Sequence, residues 1–484
     1  MVKYNAEDCE ALALVAKVVT RLAAREKPET TTPSDMAEVV NTDDLRHPLI
    51  TKWRDFSSPI TELEFVTNAA HWDYQRDRIY VRTSKRIRRS KARRKPTHKD
   101  VWRVDKVDMD RISSKCPDCR TEGRRRGALR CRTVQEMVFG KFSIKRRVVR
   151  YYYQPFWCPQ CNVLFGVDQK LLGPGKRTRY GRSVLAYIFY QVIELFIPMQ
   201  IVVGSMNRLF GLNLVSGTCK YFKEQLAEYY TPTRHQILQR IISGTLVHAD
   251  ETYISVQGRR AYVWVFTNMH EVAYVYSATR EGGLAQATLD QFQGVLVSDF
   301  YAVYDSLNCR QQKCLIHLVR DLNGAILDNP YDQEIKHLVR SFGELLKRIV
   351  EEVDRRGLKA HFLRKYLRDV IRFYREHVDR EYQSPAAAAC AERFGKNRDK
   401  LFTFLEHDGV PWNNNNAEHA MKAFARLRDV IEGMATEKGL KEYLILLSVC
   451  QTCKYMGVDF LNFLRSGEQD IEAFAATLTR RRIK

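Results

Sequence analysis

The sequence predicts a mixed α/β protein, in which a central sheet domain follows a small cysteine-rich module and a helical region, and carries a helical insertion. Three observations lead to this fold class. Residues 244–324 alternate between strand-like and helix-like stretches. Two Cys-Pro-x-Cys elements lie within residues 116–161. Residues 325–405 show almost continuous helical periodicity.

The composition favours a protein with well-formed cores and a polyanionic partner. The chain has 484 residues, of which 45% are hydrophobic. That length suits roughly two to four domains, and that apolar content excludes wholesale disorder. The formal net charge of +22 favours nucleic acid as the partner, with an anionic membrane as the second choice.

Neither a signal peptide nor a membrane span is predicted. Glu7, Asp8 and Glu10 stand where a signal peptide needs an apolar core. The longest apolar stretch, residues 183–204, contains Glu194 and predicts buried helices. We therefore expect a cytoplasmic protein, whose twelve cysteines are metal ligands or buried thiols rather than a disulfide framework.

The N-terminal region, residues 1–83, is predicted to be partly helical, with one helix over residues 8–25. A basic linker follows over residues 84–115, and its first part has almost no apolar residues. One interpretation is a disordered linker, and another is a segment that binds phosphates. The two interpretations are compatible. Its candidate DNA-binding residues are Lys85, Arg86, Arg88, Arg89, Lys91, Arg93 and Arg94.

Residues 116–165 are predicted to form a zinc-binding module with four cysteine ligands. Cys116 and Cys119 form one turn, Cys158 and Cys161 the other, and each turn presents two thiolates as a tetrahedral zinc site needs. A β-hairpin between the turns would bring them together. The alternative is four reduced cysteines without a metal, which two matching turns make the weaker choice.

Residues 166–243 are predicted to be helical. Within them, a helix, a glycine-containing turn and a second helix beginning near Ser216 have the outline of a DNA-binding helix-turn-helix. Many other helical hairpins have the same outline, so the DNA-binding role is one of two interpretations.

Residues 244–324 are predicted to form three antiparallel strands, then a helix, a strand, a helix and a last strand through "QKCLIHLVRDL". A helical insertion follows over residues 325–408, and residues 409–484 supply the last helices. Asp250 lies in the first strand and Asp299 ends the fourth. If these strands are neighbours, the two carboxylates face each other and repel unless a divalent cation lies between them. Taken singly, an aspartate after a strand is often only a helix cap.

The sequence resembles the insertion-sequence-66 family of bacterial DDE transposases. The matching stretches follow the family's order from residue 116 to about residue 465. They are the two Cys-Pro-x-Cys turns after a basic linker, "HADET", "SDFYAVYD", "CLIHLVRDL", "WNNNNAEHAMK" and "CQTCKYMGVDFLNFL". The resemblance implies a ribonuclease-H-like catalytic domain with a large helical insertion. His419 departs from the family, which usually has arginine after its catalytic glutamate.

The resemblance makes Glu418 the third catalytic carboxylate, on a helix that begins in the asparagine run. Asn415 as the N-cap would put Glu418 at the third helical position, and Asn413 or Asn414 could then orient substrate phosphates. The competing interpretation is a capping box between Asn415 and Glu418, with Glu418 paired to Lys422. A cap leaves the other three asparagines and both upstream aspartates unexplained.

Cys314 and His317 form a further family-like element, predicted at the end of the last strand. They would support the site or contact DNA. With Cys309 they could instead hold a metal ion, although a fourth ligand is not evident. Arg320 is either a phosphate contact or a surface charge.

The resemblance implies a transposase that cleaves the ends of its mobile element and joins the 3′-hydroxyl ends to target DNA. Two Mg²⁺ (or Mn²⁺) ions at Asp250, Asp299 and Glu418 would serve hydrolysis and transesterification, and Zn²⁺ would fill the cysteine site. The implied partners are both DNAs and further copies of the chain in the bacterial nucleoid, with no membrane. The alternatives are a domesticated, non-catalytic sequence-specific DNA-binding protein and a nuclease without strand transfer.

Overall fold

The computed structural model of the chain describes residues 103–109, 114–116, 118–165, 179–431 and 436–482. The predicted helix over residues 8–25 and the predicted DNA-binding residues of the basic linker lie outside the described residues.

The strands of the described residues form three sheets. They are β1 (Lys106–Met109), β2 (Arg124–Arg125), β3 (Arg130–Phe139), β4 (Ile144–Tyr153), β5 (Phe156–Cys158), β6 (Val163–Phe165), β7 (Leu246–Val256), β8 (Arg259–Thr267), β9 (Val272–Ser277), β10 (Val295–Ser298) and β11 (Arg310–Lys313).

The α-helices surround and extend the sheets. They are α1 (Arg182–Phe189), α2 (Met199–Phe210), α3 (Ser216–Ile242), α4 (Gly283–Leu289), α5 (Leu315–Asp328), α6 (Gln333–Arg356), α7 (Ala360–Leu363), α8 (Leu367–Phe373), α9 (Pro385–Lys396), α10 (Asn415–Ile431), α11 (Glu437–Tyr455), α12 (Phe460–Ser466) and α13 (Ile471–Arg482). Shorter turns are 3₁₀-helical at Ala302–Ser306, Arg364–Tyr366 and Thr403–Leu405, and π-helical at Tyr190–Glu194 and Tyr374–Val378.

The central sheet has five strands in the order β11–β10–β7–β8–β9. β7, β8 and β9 are antiparallel, as the sequence predicts, and the β7–β8 turn places Gln257 and Gly258 at positive φ of 49° and 82°. β10 lies parallel to β7, and β11 lies parallel to β10. The first and fourth predicted strands are therefore neighbours, which sets the positions of Asp250 and Asp299.

The last predicted strand is shorter than expected. β11 ends at Lys313, and the apolar run after it forms α5 from Leu315 onward. Cys314 therefore lies at the end of the strand, where its N–H donates to Ser298 O at 2.8 Å, whereas His317 lies in the first turn of the helix that follows. A short apolar run has the same hydrophobicity in a buried strand and in a buried helix, so its periodicity alone could not distinguish the two.

Two hydrophobic cores organise the described chain. The larger one joins α1, α2 and α3 to the central sheet and to α10, α11 and α12. The smaller one belongs to the helical insertion, α6 to α9, and includes Val295 and Val297 of β10. The insertion thus has a core of its own that also packs against the sheet.

The predicted helix-turn-helix corresponds to α2 and α3. α2 ends at Gly211, whose φ of 61° suits glycine, and α3 begins at Ser216. α3 packs along α11 and buries Phe222, Leu226 and Tyr230 in the larger core. One side of α3 therefore packs against the rest of the protein.

The apolar stretch over residues 183–204 forms α1, a π-helical turn and the start of α2. Val184, Ile188 and Val192 are fully buried. Within the described ranges, no single helix has the length and apolar content to cross a membrane, although α11 and α12, bent by 117°, meet that criterion as a pair.

The cysteine-rich module contains two small sheets. β3 and β4 form the hairpin expected between the cysteine turns, and β2, β5 and β6 form the sheet beside them. β1 pairs in parallel with β4, so residues 106–109 of the predicted linker are part of a sheet. That pairing could not be predicted because it is non-local and the strand has only four residues.

The β3–β4 hairpin is joined to α1 by a buried carboxyl group. Ser183 Oγ donates to Glu136, and Met137 N donates to Ser183 Oγ at 2.8 Å. Burial raises the pKa of Glu136 to about 7, against its usual 4.5, although the hydrogen bonds from Ser183 oppose this shift.

The raised pKa of Glu136 predicts how stability depends on pH. The folded protein holds the Glu136 proton between about pH 4.5 and 7, whereas the unfolded chain releases it, so stability falls as pH rises through this window. Glu136→Gln should therefore raise the melting temperature at pH 8, by an amount equivalent to about 1–3 kcal/mol, and change it little at pH 4.5.

The comparison requires melting curves of both proteins at pH 4.5, 6 and 8. Glu344→Gln, which removes an exposed carboxylate from α6, is the matched control and should shift the melting temperature equally at each pH. A Glu136→Gln variant that is destabilised at pH 8 would contradict the assignment of a buried carboxyl group that is costly to ionise.

Candidate functional site

Asp250, within β7, and Asp299, just after β10, lie on neighbouring parallel strands at the point where β10 ends. Val297 of β10 pairs with His248 of β7, and each aspartate follows its strand's paired residue by two positions. Asp299 comes immediately after β10, and its Oδ1 accepts a hydrogen bond from Tyr301 N at 3.0 Å. Open α/β sheets bind ligands at this end of their strands.

The environment of Asp250 disfavours its charged form. Burial, followed by the neighbouring charges of Glu251, Asp299 and Glu418, raises the pKa of Asp250 to about 7. A cation placed among these carboxylates would reverse this effect.

Glu251 belongs to a separate network. Successive residues of a strand point to opposite faces, so Glu251 faces away from Asp250. Its carboxylate accepts from Arg280 Nη2 at 2.7 Å and from Tyr304 Oη at 2.7 Å. These contacts oppose the rise in the pKa of Glu251 that burial causes, and sequence reasoning had not singled out this residue.

The asparagine run, Asn413–Asn416, joins α10 to the sheet, and its side chains differ in burial and in hydrogen-bond partner. Asn413 Oδ1 accepts from Asn415 N at 3.2 Å, and Asn416 Nδ2 donates to Asn268 O at 2.7 Å. Asn414 is buried, whereas Asn415 is exposed. The run is thus a docking segment between α10 and the sheet.

The predicted cap of α10 is wrong by one residue. The helix begins at Asn415, and Glu418 N donates to Asn414 O at 3.1 Å, so Asn414 occupies the capping position. Glu418 is then the fourth helical residue, which does not fit the spacing of a capping box. The shift arises because the side chain of Asn414 bonds the sheet, a contact that local sequence does not reveal.

Asn414 connects three elements. Its Nδ2 donates to Ala249 O at 2.9 Å, its Oδ1 lies 3.0 Å from His248 Nδ1, and its backbone N donates to Cys314 Sγ at 3.2 Å. Burial lowers the pKa of His248 to about 4, so this imidazole is neutral and donates from Nδ1. Asn414 is buried, and both ends of its amide bond to groups of the protein.

Glu418 has a buried oxygen without a partner among the described residues. Its Oε1 makes no hydrogen bond and lies 3.8 Å from His317 Nδ1, which is also buried and unbonded. Ligand atoms of Cys314, His317 and Glu418 all lie within 4.8 Å of one another. Asp250 and Asp299 are not in that group, although the charge of Glu418 contributes to raising the pKa of Asp250.

Two further residues near the site differ in burial. Arg320, predicted as a phosphate contact or a surface charge, is exposed on α5. Lys313 is fully buried, and its Nζ lies 3.1 Å from Asp305 Oδ1 and 3.4 Å from Ser298 Oγ, beside Asp299. Sequence reasoning missed Lys313, since a lysine at a strand end usually points to solvent.

The four cysteines of the module converge, as their spacing predicts. The sulfurs of Cys116, Cys119, Cys158 and Cys161 lie within 4.8 Å of one another, and those of Cys119 and Cys158 are 3.4 Å apart. Arg120 and Asn162, which directly follow the two turns, both have positive φ, of 60° and 57°. The two turns therefore share one backbone geometry that directs their thiols inward.

The cysteine cluster has the chemistry of a metal site. Hydrogen bonding to Thr121 lowers the pKa of Cys119 to about 6, and contact with Cys119 raises the pKa of Cys161 to about 12. Four adjacent sulfurs cannot all be thiolates without a cation. A tetrahedral metal ion with thiolate ligands, such as Zn²⁺, fits this donor set.

Comparison with known proteins identifies a protein family. A family model described as "Transposase IS66 family" matches residues 177–442, more than half of the chain. The matched region contains Asp250, Asp299 and Glu418 and excludes the cysteine cluster. None of the curated proteins matches the chain.

Asn414 is predicted to stabilise the site through its hydrogen bonds. Asn414→Ala removes the donor to Ala249 O and leaves the buried His248 Nδ1 without an acceptor. We expect a loss of about 2–4 kcal/mol in the free energy of unfolding, measured by denaturant titration.

Asn415→Ala is the control in the adjacent position. Its side chain is exposed, so the free energy of unfolding should change by no more than about 0.5 kcal/mol. Equal effects of the two substitutions would contradict the docking role of Asn414.

Proposed function

This chain belongs to the IS66 family of transposases, and on that premise we propose that it cleaves the ends of its mobile element and joins them to target DNA. The proposed chemistry is hydrolysis of a phosphodiester bond, followed by attack of the freed 3′-hydroxyl on a target phosphodiester. One observation carries the proposal: Asp250 within β7 and Asp299 just after β10 lie on neighbouring strands, and the charge of Glu418 contributes to raising the pKa of Asp250.

The central domain is proposed to be ribonuclease-H-like. Three antiparallel strands precede two parallel ones, and the first strand lies next to the fourth. The helical insertion separates the sheet from the helix that carries Glu418. This order supports the architecture implied by the family resemblance.

Asp250, Asp299 and Glu418 would hold Mg²⁺ or Mn²⁺, which prefer carboxylate oxygens. The raised pKa of Asp250 and the unpartnered Oε1 of Glu418 fit such a cation. When bound, the ions would lower the pKa of the attacking water and stabilise the leaving oxygen.

Three residues of the chain would act as a ligand of this site, hold a ligand in place or keep a competing carboxylate away. Asp250 must release its proton to act as a ligand, and Asn414 keeps α10 against β7 so that Glu418 stays near the aspartates. Arg280 pairs with Glu251, and this contact keeps that carboxylate from competing for the ion.

The cysteine cluster is proposed to bind one Zn²⁺, and its module is proposed to bind DNA together with the basic linker. Exposed cations on the module support phosphate contact. They are Arg124, Arg125, Arg130, Lys145 and Arg147. Because two element ends must meet in one complex, we also propose that the chain acts as a homo-oligomer.

The first functional prediction concerns the carboxylates. The purified protein is incubated with Mg²⁺ and the DNA that flanks its own gene, and the cleaved ends are mapped. We expect cleavage at the ends of the element and strand-transfer products. Asp250→Asn, Asp299→Asn and Glu418→Gln should each reduce cleavage by at least about 100-fold, because an amide cannot supply the negative charge that the ion needs. DNA binding, followed by gel shift, should remain.

Asp290→Asn, at an exposed position of the same domain, is the matched control and should cleave normally. Full cleavage by Asp299→Asn would contradict the proposed site. Cleavage without strand-transfer products would indicate a nuclease, and DNA binding without cleavage would indicate the non-catalytic alternative.

The second functional prediction concerns zinc. Cys116→Ser combined with Cys158→Ser should lower zinc, measured per chain by mass spectrometry, by one equivalent, because each turn loses a ligand. Cys131→Ser, which removes an exposed thiol from β3, should leave the zinc content unchanged. Unchanged zinc in the double variant would mean that these thiols hold no metal.

A further inference from the structure

A second group of side chains that can bind a metal ion, one each of cysteine, histidine and glutamate, lies where α5 and α10 begin. Cys314 immediately precedes α5, His317 lies in its first turn, and Glu418 lies in the first turn of α10. Leu315 N donates to Trp412 O at 3.0 Å, so the two helix starts are fixed against each other. The positions of these three side chains therefore follow from backbone contacts.

The nitrogen and oxygen of this group form a long ion-pair contact with each other and make no hydrogen bond within the described part of the chain. His317 Nδ1 and Glu418 Oε1 are buried, make no hydrogen bond and stand 3.8 Å apart. Buried polar atoms are almost always hydrogen-bonded, so two unbonded atoms facing each other require an explanation. A bound cation would satisfy both at once.

The sulfur of Cys314 is surrounded by backbone N–H groups, which oppose the rise in its thiol pKa that burial causes. It is fully buried and accepts a hydrogen bond from Asn414 N at 3.2 Å, and further ones from the backbone N–H groups of Ile316 and His317. In the cysteine cluster, Cys158 Sγ likewise accepts from the N–H three residues later, that of Cys161, at 3.3 Å. Such N–H groups stabilise a negatively charged sulfur.

We propose that Cys314, His317 and Glu418 bind one divalent cation of the zinc class, separate from the four-cysteine site. Sulfur, imidazole nitrogen and a single carboxylate oxygen suit Zn²⁺ rather than Mg²⁺, which prefers oxygen alone. Three protein ligands leave a fourth position for water, which the partial exposure of His317 and Glu418 allows. On binding, the Cys314 thiol releases its proton to solvent and the sulfur takes up the ion.

The ligand atoms of Cys314, His317 and Glu418 need to move only slightly closer together to bind a zinc ion. Neighbouring ligand atoms of a tetrahedral zinc ion lie roughly 3.3–3.8 Å apart, given Zn–S and Zn–N bonds of about 2.3 and 2.0 Å. The ligand atoms here lie within 4.8 Å. Rotation of the His317 and Glu418 side chains, both partly exposed, can supply that movement.

This site shares Glu418 with the proposed catalytic centre, but its existence does not depend on the proposed function. Zinc binding is measured without DNA. A protein that cleaves DNA but holds no zinc here would overturn this inference alone. A protein that holds zinc here but cleaves no DNA would contradict the proposed function alone.

The test counts zinc bound by the full-length chain after removal of metal with a chelator, reconstitution with Zn²⁺ alone and desalting. Cys314→Ser combined with His317→Gln should bind one equivalent less than the unaltered protein. Serine still offers an acceptor to Asn414 N, and circular dichroism checks the fold. Cys309→Ser combined with His377→Gln, a cysteine and a histidine outside the group, is the matched control and should lose nothing.

Three further variants make the result decisive. His317→Cys retains a zinc ligand and should keep the equivalent, whereas Glu418→Gln should weaken binding by at least about tenfold. Asp250→Asn combined with Asp299→Asn should keep the equivalent, because neither aspartate belongs to the group. The proposal is overturned if Cys314→Ser with His317→Gln loses no zinc, or if the aspartate variant loses the same equivalent.

Discussion

The hydrogen bonds of Asn414 hold together the face of the protein on which the site depends. Ala249, the acceptor of its amide, lies 165 residues earlier in the chain, and Cys314 lies 100 residues earlier. Strand pairing brings Asp250 and Asp299 together, and the Asn414 contacts, with the Asn416–Asn268 hydrogen bond, keep the start of α10 beside them. Aspartate at this position would lack the donor for Ala249 O, and alanine would lack both donor and acceptor.

The sequence predicts the parts of the fold that rest on local patterns. Alternating hydrophobicity predicts β7, β8 and β9, and matched Cys-Pro-x-Cys turns predict the convergence of the four cysteines. Contacts between distant segments are not predicted. The pairing of β1 with β4, the buried side chain of Asn414 and the meeting of His317 with Glu418 all depend on the tertiary structure. The cap of α10 is misplaced by one residue for the same reason.

Buried charges in the central domain fall into two classes. Glu251 is paired with Arg280, and Lys313 with Asp305, so their charges are compensated within the protein. Asp250 instead has like-charged neighbours in Asp299 and Glu418, and Oε1 of Glu418 makes no hydrogen bond and has only His317 Nδ1 near it, at 3.8 Å. Uncompensated polar groups are costly to bury, and proteins retain them mainly where ligands bind.

The helical insertion leaves and re-enters the central domain at nearly one point. Lys313 N donates to Lys400 O at 2.8 Å and Leu315 N to Trp412 O at 3.0 Å, while a separate hydrophobic core stabilises the helices between them. The length of the insertion is therefore not constrained by the geometry of Glu418. Evolution can lengthen, shorten or replace this segment while the third carboxylate keeps its place beside the sheet.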